Sequence, residues 1–146
     1  MKAAIQVLLV DDNAGDSELT AELLKQSGRL IHIHSVSDGM EAMAFLRCEG
    51  KYSAALTPQL MMLDLNMPRK NGWEVLVEVK SDIELRKITV VVFTTSEATI
   101  DIARCSELGA NSYVNKPQNL TEYASTVAAI GNYWLDVACM VQPEEM

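Results

Sequence analysis

Five short segments with the pattern of strands alternate along the chain with stretches that carry apolar residues at helical spacing. The first, Ile5–Val10, is mostly apolar and rich in branched side chains, as expected of a strand that is buried on both faces. The second, Ile31–Val36, alternates with His32 and His34, which suggests a strand with one polar face. A strand followed by a helix, repeated five times, predicts an α/β fold: a doubly wound five-stranded parallel sheet with helices on both faces. The predicted strands cover residues 5–10, 31–36, 60–63, 88–93 and 112–114.

Local residue choices mark the ends of the predicted helices. Asp38 stands where an N-cap is expected, and Gly28 and Gly109 follow helical stretches as stop signals. Asn119 and Glu122 have the spacing of a capping box, so we expect a last helix from there to about residue 137.

Length and charge limit the classes of function. The 146 residues fit one domain, 1–146, and a net charge of −8 argues against nucleic acid as a partner. No apolar run approaches the ~20 residues that span a bilayer, and no secretory signal is evident, so no membrane partner is expected. Cys48, Cys105 and Cys139 lie far apart without a close metal-binding pair, which is typical of thiols in a reducing cytoplasm.

Polar residues follow four of the predicted strands directly. Because ligands of parallel sheets bind outside the carboxyl ends of the strands, we expect these residues to line one crevice. They are Asp11 and Asp12 after the first strand, Asp64 after the third, Thr94 and Thr95 after the fourth, and Lys116 and Pro117 after the fifth.

The three carboxylates need positive charge beside them. Two unit charges at ~4 Å repel by roughly 4 kcal/mol at an effective dielectric constant near 20. Lys116 supplies one positive charge, and a divalent cation would supply two more. Oxygen ligands favour Mg²⁺, which takes one or two carboxylates plus a phosphate, and no His or Cys stands at these strand ends to favour zinc. The sequence therefore predicts a Mg²⁺ site with an open position for a phosphoryl group.

Taken in order, these segments carry a resemblance to a known family. They are Val10-Asp11-Asp12, then Leu63-Asp64-Leu65-Asn66-Met67-Pro68 with Gly72, then Phe93-Thr94, then Tyr113-Val114-Asn115-Lys116-Pro117. Residues 5–138 resemble the receiver domain of two-component response regulators, which implies the strand order 2-1-3-4-5. An insertion at 50–58, the triplet Thr94-Thr95-Ser96 and the ending Tyr133-Trp134-Leu135 resemble the small response regulators of cyanobacterial phytochromes.

The resemblance implies which residues bind the cation and accept the phosphoryl group. Asp64 is the expected phosphoacceptor. Asp11 and Asp12 are expected to hold Mg²⁺, or Mn²⁺, together with Asp64 and the backbone carbonyl of Asn66.

The resemblance also implies which residues bind the phosphoryl group and which change conformation after phosphorylation. Lys116, Thr94 and Thr95 are expected to bind phosphoryl oxygens. Thr94 and Tyr113 are expected to form the switch, with Thr94 moving toward the phosphate and Tyr113 turning inward. The resemblance makes the Lys116–Pro117 peptide bond a candidate for the cis form, and the sequence leaves its isomer open.

The implied partner is a sensor histidine kinase of the phytochrome type. The chain has no room for an output domain after the last helix, so we expect the signal to leave through contact with another protein. That protein is not identified by the sequence.

Two alternatives stay open beside this switch. One is a receiver-like domain that binds partners without phosphorylation, although the intact acid cluster argues against it. The other is a small metal-dependent phosphohydrolase. Haloacid-dehalogenase-type phosphatases carry a second Asp, as general acid, where this chain has Asn66, and an amide cannot take that role. We therefore expect a switch rather than an enzyme.

The last predicted helix carries an apolar stripe at heptad spacing. Such a stripe either covers the sheet or pairs with a partner. Similar small regulators dimerise through their fourth and fifth helices, so the resemblance implies a homodimer with Tyr123, Val127, Ile130 and Trp134 as candidate contacts. The full stripe is Leu120, Tyr123, Val127, Ile130, Trp134, Val137 and Val141.

Overall fold

The fold is taken from a computed structural model, which describes residues 4–26, 28–95 and 99–137. Five parallel strands form one sheet in the order β2-β1-β3-β4-β5, which confirms the predicted α/β fold and its strand order. The strands are β1 (Ile5–Val10), β2 (Ile31–Val36), β3 (Leu60–Leu63), β4 (Thr89–Thr94) and β5 (Ser112–Asn115).

Five α-helices are seen in the described ranges: α1 (Ala14–Lys25), α2 (Gly39–Leu46), α3 (Gly72–Ser81), α4 (Thr99–Glu107) and α5 (Leu120–Gly131). Asp38 and Asn119 cap α2 and α5 through their side chains, as predicted, and Asn13 and Asn71 cap α1 and α3 in the same way. None of these helices is both long enough and apolar enough to cross a membrane.

The core has two layers, one on each face of the sheet. Leu8 and Val10 of β1 face a layer formed by α2, α3 and α4, whereas Val7 and Leu9 face a layer formed by α1 and α5. This alternation follows from the two-residue period of a strand. It confirms the prediction of helices on both faces, and it leaves the strand ends clear to build a site.

The apolar stripe of α5 belongs to the second core layer, so most of the predicted dimer face is wrong. Tyr123, Val127 and Ile130 are 5%, 0% and 6% exposed and contact the sheet. The hydroxyl of Tyr123 also hydrogen-bonds to that of Thr20, at 2.8 Å. Burial against the sheet already removes these side chains from water, so they have no surface to offer a second copy. Trp134 is half-buried against the same layer.

The chain changes its helical form near the end of α5. The predicted single helix to about residue 137 is instead α5 followed by a π-helical segment, Asn132–Val137. The Arg29 guanidinium donates to both carboxylate oxygens of Asp136, at 2.9 and 3.0 Å, and to the side-chain oxygen of Asn132, at 2.7 Å. These bonds tie the segment to the start of β2. Val141 of the predicted stripe lies outside the described residues.

Candidate functional site

Backbone hydrogen bonds between neighbouring strands bring the predicted polar residues to one edge of the sheet. The N–H of Asp64, just after β3, donates to the carbonyl of Val10 at 2.9 Å. The N–H of Lys116, just after β5, donates to the carbonyl of Thr94 at 2.7 Å. Asp11 follows Val10 directly. The register of the sheet therefore fixes where these side chains leave the backbone.

The loop after β3 holds Asp64 by a close backbone approach. The N–H of Gly72 donates to the carbonyl of Leu65 at 3.0 Å, which closes the loop over residues 65–72. A Cβ placed on Gly72 would lie 2.1 Å from the carbonyl oxygen of Asp64 and 2.7 Å from Cα of Leu65. Only glycine fits at this position while Asp64 keeps its place.

The Asp64 carboxylate lies at the centre of the site and is 8% exposed. Its Oδ1 accepts hydrogen bonds from the Thr94 hydroxyl, at 2.7 Å, and from the Asn66 N–H, at 3.3 Å. Its Oδ2 faces the Lys116 ammonium at 3.4 Å. Thr94 is fully buried, so its hydroxyl is held on Asp64 away from water. Hydrogen bonds to Oδ1 and the ammonium beside Oδ2 therefore fix the orientation of the Asp64 carboxylate.

Lys116 brings a positively charged side chain to the site. Its Nζ also contacts Oδ2 of Asp11, at the shortest separation in the cluster, and Oδ2 of Asp16, at 2.9 Å. Burial by itself lowers the pKa of Lys116, but the hydrogen bonds to Asp11 and Asp16 and the charge of Asp64 outweigh it. The net result is a pKa above the ordinary value, so the ammonium stays charged at neutral pH.

Three carboxylates at this edge could share one cation. Single oxygens of Asp11, Asp12 and Asp64 all lie within 4.8 Å of one another. Burial raises the pKa of Asp11, and hydrogen bonds from Lys116 and Asn13 offset only part of that effect. Asp12 is exposed, which leaves an open side facing solvent. An all-oxygen donor set with an open side fits Mg²⁺ or Mn²⁺.

Two further predicted site residues, Thr95 and Tyr113, lie on the last two strands of the sheet or directly after them. Thr95 is exposed just beyond β4, and it lines a cavity of about 410 Å³ that Lys116 also borders. Tyr113 is half-buried in β5 and packs against the α2–α3–α4 core layer.

The Lys116–Pro117 bond, which the sequence left open as a candidate for the cis form, is trans, since no peptide bond among the described residues is cis. The Lys116 side chain reaches the carboxylates from this backbone.

Asp16 was not among the site residues predicted from the sequence, although its carboxylate is the second-nearest to Lys116 among the described ion pairs. Asp16 lies in the first turn of α1, where the Asn13 side chain accepts a hydrogen bond from its N–H at 3.0 Å. The Asn13–Asp16 spacing was a signal for the start of a helix. Nothing in that local pattern indicated that the side chain would turn toward the end of β5.

Comparison with known proteins identifies the family. The model of the response regulator receiver domain matches residues 7–128. The chain belongs to this family, which confirms the resemblance drawn from the strand-end motifs.

The relatives confirm the narrower resemblance as well. The chain is 40% identical to the response regulator Rcp1 of Synechocystis sp. over 134 residues, which covers 92% of this chain and 91% of that protein. The crystal structure of the phosphorylated cyanobacterial phytochrome response regulator RcpA is similar, with a TM-score of 0.92 and 43% identity over 96% of this chain and all of the other. The Mn²⁺-bound form of Rcp1 gives a TM-score of 0.91 and 39% identity over 94% and 99% of the two chains.

Proposed function

We propose that this receiver domain is a phosphorylation switch that accepts a phosphoryl group on Asp64. One observation carries the proposal: Asp64 is held by a buried hydroxyl on one oxygen and an ammonium on the other, beside two further carboxylates. A purely structural carboxylate would not need such a costly concentration of charge at an open edge of the sheet.

The proposed reaction of Asp64 is nucleophilic attack on phosphorus. In the proposed step, one carboxylate oxygen forms a P–O bond while the P–N bond of a donor phosphohistidine breaks, and the donor imidazole leaves with the electron pair. Carboxylates are weak nucleophiles, so positioning and neutralisation of charge provide most of the acceleration. A cleft of about 550 Å³ lies beside Asp11 and Asp12.

The proposed cation ligands are Asp11, Asp12, Asp64 and the backbone carbonyl of Asn66. A bound Mg²⁺ or Mn²⁺ would neutralise charge on the oxygens of the transferred group. The Mn²⁺-bound form of the similar protein Rcp1 and the oxygen donor set of this chain support the assignment.

Lys116, Thr94 and Thr95 are the proposed partners of the transferred group. Lys116 needs to shift only from Oδ2 of Asp64, at 3.4 Å, toward a phosphoryl oxygen. The Thr94 hydroxyl, which donates to Oδ1 of Asp64, would turn and donate to a second phosphoryl oxygen. In this proposal the movement of Thr94 leaves space that the half-buried Tyr113 ring fills, and this change of packing alters the surface.

The proposed donor is a sensor histidine kinase of the phytochrome type. The similarity to RcpA, a cyanobacterial phytochrome response regulator, supports this proposal. Association into a homodimer is part of the proposal only for the π-helical segment that follows α5, where Tyr133 is 54% exposed beside Trp134.

The test is intact-protein mass after incubation with acetyl phosphate, once with Mg²⁺ and once with EDTA. We expect one phosphoryl adduct that requires Mg²⁺ and is absent from Asp64→Asn. Glu18→Gln, an exposed α1 variant with the same loss of charge, serves as the control and is expected to keep the adduct. Folded wild-type protein without an adduct would contradict the proposal and favour a domain that binds partners without phosphorylation.

A further inference from the structure

The Lys116 ammonium has three carboxylate neighbours, and they are not equivalent. Asp11 and Asp64 belong to the cluster that is proposed to hold the cation, whereas Asp16 lies outside it. Asp16 is also nearer to Lys116 than Asp64 is, at 2.9 Å against 3.4 Å. Lys116 therefore has one strong partner with no proposed part in metal binding.

The start of α1 explains why the Asp16 carboxylate is available. Asp16 occupies the third helical position, from which an acidic side chain commonly bonds back to the N–H of the N-cap residue. Here that N–H belongs to Asn13, and it already donates to Oδ1 of Asp11 at 2.9 Å. The Asp16 side chain is thus released from the usual cap and reaches across to Lys116.

A second contact fixes the backbone of this turn. The Tyr123 hydroxyl lies 3.4 Å from the carbonyl oxygen of Asp16 and 2.8 Å from the Thr20 hydroxyl. The α5 helix therefore supports the turn of α1 that carries Asp16, so the side chain faces Lys116 from a fixed position.

Lys116 and a bound cation compete for the same oxygens. A cation on Asp11 and Asp64 would weaken both of those contacts to the ammonium, whose side chain is only 4% exposed. A buried ammonium left without a partner is costly, so entry of the cation is opposed unless another carboxylate takes over.

We propose that Asp16 is a positioning residue that takes over Lys116 when a cation occupies Asp11 and Asp64. It keeps the ammonium beside Asp64, within reach of an incoming phosphoryl oxygen, without using a metal ligand to do so. The inference rests on the proposed function, because it assumes that this edge of the sheet binds Mg²⁺.

The test measures Mg²⁺ affinity by isothermal titration calorimetry, without any phosphodonor. Four proteins carry Asp16→Asn or Glu18→Gln, each in the wild-type and in the Lys116→Met background. Glu18 lies two residues further along α1 and is exposed, so it matches the change in net charge without touching Lys116 in the described contacts. Circular dichroism checks that each protein is folded, and Asp16→Ser replaces Asp16→Asn if that variant is not.

In the wild-type background we expect Asp16→Asn to weaken Mg²⁺ binding about tenfold, a usual size for energetic coupling between sites. Glu18→Gln should weaken it less than twofold, as expected of a screened surface charge. In the Lys116→Met background the two variants should have equal effects, because the ammonium that Asp16 holds is gone. A general effect of negative charge, or of helix capping, would persist in that background.

Equal effects of Asp16→Asn and Glu18→Gln in the wild-type background would overturn the inference, and this comparison stands even if Lys116→Met does not fold. A tenfold effect of Asp16→Asn that persists without Lys116 would overturn it as well. Wild-type protein that binds no Mg²⁺ and takes no phosphoryl group would remove the proposed function itself. If the wild-type protein binds Mg²⁺ and takes up a phosphoryl group, but Asp16→Asn changes the Mg²⁺ affinity no more than Glu18→Gln does, only the inference about Asp16 is contradicted.

Discussion

Two lysines are held at opposite edges of the same sheet. Lys116 follows β5 at the carboxyl edge, among the carboxylates of Asp11, Asp16 and Asp64. Lys80 lies in α3, and its ammonium reaches the other edge, near the starts of β4 and β5. There it donates to neutral oxygens: the carbonyls of Ile88 (2.7 Å) and Arg86 (3.1 Å) and the side chain of Asn111 (3.3 Å).

The different partners shift the two pKa values in opposite directions. Burial lowers the pKa of Lys80, since carbonyl oxygens bring no full negative charge to oppose it. Burial acts in the same direction on Lys116, but the surrounding carboxylates reverse the outcome.

The difference indicates what each lysine can do. Backbone carbonyls at the start of a strand are fixed by the sheet, so Lys80 has one set of partners and serves to fasten α3. Carboxylates can exchange an ammonium for a metal ion, and one of them can carry a new group. Lys116 can therefore change partners while staying charged, which is a property that a phosphoryl-binding residue needs.

The largest expected difference between the two lysines is in phosphoryl uptake. Lys116→Met should slow the formation of the acetyl phosphate adduct by about 100-fold, the usual loss when one group that stabilises a developing charge is removed. Lys80→Met should change the rate less than twofold, since its ammonium lies at the far edge of the sheet. Intact-protein mass against time measures both rates. Similar losses in the two variants would contradict the division of roles.

The next difference concerns the free energy of unfolding. Lys80→Met keeps most of the aliphatic stem but leaves the Ile88 and Arg86 carbonyls without their ammonium donor, so we expect a loss of about 1–2 kcal/mol. The control is Lys51→Met, whose side chain is 72% exposed and 3.7 Å from Glu41, and which should cost less than about 0.5 kcal/mol. Urea titrations give both values. A loss for Lys80→Met no larger than that of the control would mean that these hydrogen bonds do not fasten α3.

The sequence predicted β1, β2 and β3 to the residue. The segments of β1 and β3 are mainly apolar and end at Asp11 and Asp64, whereas the segment of β2 alternates apolar and polar residues. The sequence placed the start of β4 one residue early. Ile88 is fully buried, but it closes a 3₁₀ turn by donating to the carbonyl of Leu85 instead of pairing in the sheet. Apolar character reports burial, and burial is not the same as strand pairing.

The site was predictable to the extent that it follows from strand ends. Asp11, Asp64 and Lys116 meet because parallel strands finish at one edge of a sheet. Asp16 was not predictable in this way, because its partner Lys116 lies 100 residues further along the chain. The contacts of Lys80 were not predictable from strand ends either, because Lys80 lies in a helix and reaches the turn before β4 and the side chain of Asn111. An acidic residue in a first helical turn, or a lysine in a last one, already has a local explanation in the helix dipole. The stripe of α5 was ambiguous for a similar reason, since the sheet and a second copy require the same apolar spacing.

The smallest expected difference is in how each lysine affects stability at alkaline pH. The folded-state pKa of Lys80 lies below 10.5, the ordinary value that applies in the unfolded chain. At a pH between these two pKa values, Lys80 is more often protonated in the unfolded chain than in the folded one. The stability of the wild type relative to Lys80→Met should therefore rise as the pH increases toward 10.5. The folded-state pKa of Lys116 lies above 10.5. As the pH rises past 10.5, Lys116 is therefore more often protonated in the folded chain than in the unfolded one. The stability of the wild type relative to Lys116→Met should fall there.

Subtracting each variant from the wild type cancels the titration of groups that the two proteins share. Urea unfolding at pH 8, 9, 10 and 11 in one buffer series measures the two differences. Opposite slopes would tie the sign of each pKa shift to the charge of the lysine's partners. Slopes of the same sign would mean that burial governs both lysines and that the carboxylates around Lys116 do not outweigh it.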